Sequence, residues 1–206
     1  MHQADKAELA WIRELSSPTI GEVTHPGFPA YLRVPHPAQD SDYQPVTWAH
    51  IAAGNGRELQ ALDTYADVAP EESSAWLDLA APMQGELEEN LLARLTALLS
   101  AHTSTPGRCT FLFHGSWFNQ PLPHGAAEIT FWNASYIAVA GDPAELLSFP
   151  VSAELWWPAD HSWVVATPLD NESSFIGCGL ATARAILDDD GMEALPVSAA
   201  DSFLGL

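Results

Sequence analysis

Residues able to do chemistry crowd into one stretch of this chain: Trp156, Trp157, Asp160, His161 and Trp163, followed by Asp170, Asn171, Glu172 and Ser173. Carboxylates placed this way suit two kinds of work. Beside an exposed indole, Asp160, Asp170 and Glu172 would rim an aromatic platform that attracts a cation, a sugar or a basic peptide. Held at a fixed separation, Asp160 with Asp170 or Glu172 would instead serve as the acid and base of a hydrolase. Neighbouring residues of a strand point to opposite faces, so Trp156 and Trp157 cannot share one core. An exposed aromatic patch is therefore expected near Trp157 or Trp163, and the expected binding residues are Trp157, Asp160, Trp163, Asp170 and Glu172.

Other chemistry finds little footing. His114-Gly115-Ser116-Trp117 is the nearest approach to a serine nucleophile, but it lacks the GxSxG elbow. Alternation along a strand is expected to keep the imidazole and the hydroxyl apart. His25, His36 and His124 flank prolines, His50 and His102 sit on or just after helices, and no HExxH spacing occurs. Gly54-Asn55-Gly56 is too short for a nucleotide-binding loop. Cys109 and Cys178 show neither CxxC nor zinc spacing and are expected as buried thiols, although a disulfide stays open at this point. No catalytic residue, metal or cofactor is expected.

The charge balance bounds the partners. The 206 residues carry 27 acidic and 7 basic side chains, a formal net charge of −20. Such a surface repels phosphate backbones and anionic lipid, so neither nucleic acid nor membrane is an expected partner, whereas a basic protein or a cationic ligand is. No apolar run reaches the roughly 20 residues of a membrane span, and the first residues lack the pattern of a secretory signal. With only two cysteines, the expected compartment is the cytoplasm.

The elements that must position these residues follow from local pattern. Leu155 to Trp157 and Trp163 to Thr167 favour extended backbone, and Pro158-Ala159-Asp160-His161 supplies the turn of a β-hairpin. Ala4 to Leu15 reads as a short amphipathic helix stopped by Ser16-Ser17-Pro18. Phe28 to Val34 looks extended, with prolines at 29, 35 and 37 placing it at an edge or a strand end. Thr47 caps a helix over Trp48 to Ala53. Asp63 to Ala81 lacks periodicity and marks a minor lobe boundary near 63–82. Leu87, Leu91, Leu95, Leu98 and Leu99 then form a stripe, with Glu86, Glu88 and Glu89 near the positive end of their helix.

Cys109 to Trp117, Glu128 to Trp132 and Tyr136 to Ala140 read as strands, and Phe175-Ile176 as a last short one. Asp142-Pro143-Ala144-Glu145 has the cap, first-turn proline and third-position acid of a helix start. Leu180 to Leu187 closes the chain as a helix, with Gly191 after Asp188-Asp189-Asp190 expected as its left-handed cap. Short connections favour antiparallel pairing. The expected fold is α+β and a single domain over 1–206: a mostly antiparallel sheet in the C-terminal half, packed with helices from the N-terminal half and one closing helix.

Several segments carry a resemblance. Phe28 to Val34 with His36-Pro37, Val46 to Ala49, Ala101 to Cys109, Trp156 to Thr167 and Ala194 to Ser198 together resemble a family of uncharacterised bacterial proteins over most of the chain. That resemblance implies one intracellular domain and brings no established activity and no catalytic residue to carry over. The late aromatic and acidic strands before a final helix are also faintly similar to SMI1/KNR4-like immunity proteins, whose early motif is not recognisable here. The reading that results is a non-catalytic, acidic, cytoplasmic binding or interaction protein of the immunity or inhibitor kind, with the paired-carboxylate hydrolase as its alternative.

Overall fold

The computed structural model describes residues 1–12, 15–69, 78–116 and 126–206. Along the chain the strands are β1 (His2–Gln3), β2 (Ala30–Pro35), β3 (Ala38–Gln39), β4 (Pro45–Val46), β5 (Cys109–His114), β6 (Ala127–Phe131), β7 (Ala134–Gly141), β8 (Leu155–Pro158), β9 (Trp163–Ala166), β10 (Ser173–Cys178) and β11 (Leu195–Val197). The helices are α1 (Lys6–Leu9), α2 (Ile20–Val23), α3 (Trp48–Gly54), α4 (Tyr65–Val68), α5 (Glu89–Ala101) and α6 (Leu180–Leu187), with a 3-10 helix at Pro143–Ser148.

Nine strands form one antiparallel sheet in the order β1-β7-β5-β8-β9-β10-β2-β11, and β6 also pairs with β7. The α+β class expected from the sequence is the class observed. Seven of the nine strands come from the C-terminal half, as expected. β1 and β2 come from the N-terminal part, and β2 lies between β10 and β11 rather than at an edge. Its prolines are tolerated because Pro29 precedes the strand and Pro35 ends it.

Each face of the sheet carries a core. On one face Phe111, Phe113, Trp156, Trp163, Val165 and Ile176 meet the leucines of α5 and Ile186 of α6. On the other, Tyr31, Leu112, Trp157, Val164 and Phe175 meet Phe203, Leu206 and the N-terminal segment. A third, smaller cluster gathers Trp48, Ile51, Ala52 and Val68 of α3 and α4. Both cysteines are buried and unpaired, Cys109 and Cys178 alike. Burial pushes each thiol up to about 12, so both are inert.

Local chemistry explains most boundaries. Thr47 accepts from the His50 backbone N–H and starts α3. Glu88, outside α5, accepts from the N–H groups of Asn90 and Leu91. Asp142 and Glu145 complete a reciprocal capping box, but the turn they start is 3-10 rather than α. Trp132 and Asn133 both have positive φ, 47° and 59°, and make the two-residue turn between β6 and β7.

Two expectations fail locally, the extent of the first helix and the Gly191 cap, and two others fall partly outside the described residues. Of Ala4 to Leu15 only Lys6–Leu9 is helical, and residues 13–14 lie outside the described set. Within Asp63 to Ala81, Thr64 caps the short α4, while 70–77 lie outside it. The parts of the expected Cys109 to Trp117 strand and loop from 117, with His124, are likewise outside. Gly191 is not a left-handed cap: α6 ends at Asp188 in right-handed backbone. A Cβ at Gly191 would lie 2.0 Å from Cζ of Arg94, the far end of a half-exposed side chain that can swing aside.

Candidate functional site

The hairpin forms where the sequence places it, yet its tryptophans are not available. Trp156, Trp157 and Trp163 are each 0% exposed, so no aromatic platform stands at Trp157 or Trp163. The reason is that both faces of the sheet are covered: Trp157 points away from Trp156 as alternation requires, but into a second core rather than into solvent. Trp163 also donates its indole N–H to the Leu99 carbonyl at 3.0 Å, tying the hairpin to the end of α5. The unbroken apolar run Trp163 to Ala166 was the available signal for a strand buried on both faces.

The three acids do not converge either. Asp160 sits at the hairpin tip, before β9, while Asp170 and Glu172 follow its other end. No acid–base pair therefore joins Asp160 to Asp170 or Glu172. At the tip, Asp160 accepts hydrogen bonds from the hydroxyls of Thr103 (2.8 Å), Ser104 (2.7 Å) and Ser162 (2.8 Å), and from the Ser104 N–H (2.6 Å). Partial burial raises its pKa, but these donors outweigh that and hold the carboxyl well below the usual range. Burial raises the pKa of Glu172, offset in part by Gln84 and Arg33. Asn171 is buried and donates to the Phe203 carbonyl and to the Leu206 carbonyl at 2.7 Å, which pins the C-terminus.

At the hairpin base stands a residue that the acid count did not single out. Glu154 is 7% exposed, and its Oε2 has no hydrogen-bond partner among the described residues. Burial pushes its pKa up to about 7, against hydrogen bonds from the Tyr136 hydroxyl and the Leu169 N–H and with help from Asp170. It shares a cavity of about 10 Å³ with His114, Ser152 and Gly85. Nearby, His114 Nδ1 and Ser116 Oγ are 2.7 Å apart. The expectation that strand alternation separates them is corrected: they are two residues apart, hence on one side, at the point where β5 ends.

A second histidine–serine contact is interior. His36 Nε2 lies 3.0 Å from Ser174 Oγ, and Nδ1 lies 3.0 Å from the Met83 carbonyl, so Nδ1 carries the proton. Burial lowers His36 to about 4, leaving it neutral. Beside it Arg33 is wholly buried, donating from Nε to Ser173 Oγ at 2.9 Å and lying over the Trp48 ring at 4.9 Å. Burial lowers its pKa to about 10, offset by Asp63, Glu193 and Glu172, so it remains a cation.

A roomy recess among the described residues lies outside the hairpin. It encloses about 710 Å³ between α3 and the segment entering β11, within the range of ligand sites. Leu59, Met192 and Leu195 give it an apolar floor, and Glu58, Asp190 and Glu193 give it carboxylates, against one cation, Arg57. Arg57 is already engaged by Asp63 at 2.9 Å. Glu193 accepts from the N–H groups of Trp48 (2.8 Å) and Ala49 (2.7 Å), which fixes this wall of the recess to α3. Sequence reasoning missed these residues because they come from separated segments. The only local signal was the acid run ending at Asp190, which reads equally well as a solvated helix end.

Among the described residues no group of three His, Cys, Asp or Glu side chains is arranged to hold a metal ion. No helix among them is long and apolar enough to cross a membrane. No protein-family model, no curated protein and no solved structure matches this chain.

Proposed function

We propose that this chain is a non-catalytic acidic binding protein of the cytoplasm, and that its recess between α3 and β11 receives a basic, aliphatic-bearing segment of a partner protein. The single supporting observation is the lining: Leu59, Met192 and Leu195 alongside Glu58, Asp190 and Glu193, in a molecule of net charge −20. Apolar floor supplies the area and carboxylates supply the selection for positive charge.

The test is fluorescence anisotropy with a labelled peptide of alternating Arg and Leu. Affinity should fall as salt rises. Reversing Glu58 and Asp190 to Lys should weaken binding about tenfold, as two partly screened ion pairs would. Reversing Glu128 and Asp142 makes the same change in net charge elsewhere and should leave the affinity within about twofold. Equal losses from both pairs would mean that only net charge matters and would overturn the site.

A hydrolytic reading is favoured by one observation, the 2.7 Å contact of His114 with Ser116 near the protonatable Glu154. Labelling of Ser116 by a fluorophosphonate, abolished in His114→Ala, would support it. Absence of labelling leaves the binding reading alone.

A further inference from the structure

A second surface is closed by the chain's own N-terminal segment. The Trp11 indole lies 4.2 Å from the His25 ring at 12° and 3.9 Å from the His161 ring at 7°. Two rings that near and that parallel cannot share one face of an indole, so the imidazoles clasp it from both sides. Trp157 stands at 6.0 Å and forms the floor of the slot. Its buried indole N–H has no hydrogen-bond partner among the described residues.

Three features set this arrangement apart from ordinary core packing. First, His25 and His161 both hold left-handed backbone, with φ of 70° and 54°. Side-chain-bearing residues rarely adopt that conformation, and it concentrates at functional sites. Here it turns two imidazoles parallel to one another. Second, Trp11 stays partly exposed, unlike the three hairpin indoles. The segment that carries it joins the sheet through the two-residue β1. Third, an open recess of about 520 Å³ runs along that segment, with Asp5, Glu8, Arg108 and Ala159 on its walls. Glu8 there also pairs with His161 Nε2 at 2.9 Å.

We propose that the slot between the His25 and His161 rings, floored by Trp157, is a binding site for a flat aromatic side chain of a partner protein, and that Trp11 fills it in cis as a competing occupant. Stacking between parallel rings selects a planar group, and an indole fits because one is already seated there. The adjoining recess gives the rest of the partner a path out, and its two carboxylates against one guanidinium favour basic residues flanking the aromatic. The slot is separate from the α3 recess and does not depend on it.

The experiment uses N-acetyl-tryptophanamide as the probe and the full chain throughout. Trp11→Ala should bind it saturably, and the wild type about tenfold more weakly because Trp11 competes. Adding His161→Ala to Trp11→Ala should weaken the probe about tenfold, the loss of one stacked partner. Circular dichroism checks that each variant is folded. Should Trp11→Ala unfold, Trp11→Leu replaces it, keeping an apolar anchor without a planar ring, with the same two expectations. A folded variant that does not bind, or binding indifferent to His161, overturns the site. A concentration-dependent wild-type dimer that the probe dissociates also overturns the assignment, because the occupant would then be Trp11 of a second copy.

Discussion

At the tip of the β8–β9 hairpin Asp160 is met by three hydroxyls and two backbone N–H groups, and its carboxyl is held ionised. At the base of the same hairpin Glu154 is buried, and although Tyr136 and Leu169 donate to it, one oxygen meets no donor among the described residues and its pKa climbs to about 7. Two carboxylates of one supersecondary unit thus take opposite electrostatic characters. The deciding variable is the supply of donors. The tip borrows Thr103 and Ser104 from the connection after α5, whereas the base is walled by Val151, Leu169 and Gly85. A count of acids along the sequence treats the two alike.

The strongest way to break the contrast is to deform the base. Gly85 has φ of 69°, and an added Cβ would lie 2.8 Å from the Leu169 backbone. Gly85→Ala should therefore destabilise by about 3 kcal/mol, read by urea denaturation, through left-handed strain plus backbone collision. Full native stability would show that Leu169 moves freely and does not wall the Glu154 cavity.

Next in size is the titration of Glu154. Its folded pKa near 7 lies above the ordinary 4.5, so the native state keeps a proton the unfolded chain has released. The stability contribution is complete below about pH 4.5 and is lost as pH rises through 7. Glu154→Gln should match the wild type at pH 4 and exceed it by about 3 kcal/mol at pH 8. Parallel pH profiles for the two proteins would contradict a neutral carboxyl at the base.

At the tip the effects are smaller because solvent shares the load. Asp160→Ala should cost about 1–2 kcal/mol at pH 7, well under the sum of its hydrogen bonds. Ser162→Ala, which removes one hydroxyl donor, should cost less than about 1 kcal/mol. If Ser162→Ala costs as much as Asp160→Ala, the tip acts as one rigid unit and the comparison with the base must be redrawn.

Much of the fold was legible because local rules were obeyed. The α5 leucines, the Thr47 cap and the Pro158 to His161 turn all carry their instructions within a few residues. α6 runs over Leu180–Leu187, the range its apolar pattern gives. What stayed hidden depends on segments far apart in sequence. Nothing within Ala30–Pro35 says that it pairs with Ser173–Cys178 on one side and Leu195–Val197 on the other. Likewise, alternation separates Trp156 from Trp157, but whether the second face meets water is decided by Phe203, Leu206 and Trp11. The candidate recess joins residues 47–59 to 190–195, and its one local trace, the acid run ending at Asp190, reads equally well as a solvated helix end.

One border of the sheet has a further consequence. β11 is the last strand in the order, and its central residue is Pro196. A proline offers no N–H for another ladder, so this margin is a poor template for incoming chains. Nine strands of largely apolar sequence would otherwise invite fibril growth from the margin beside the α3 recess. The proline keeps sister molecules from zipping onto that margin.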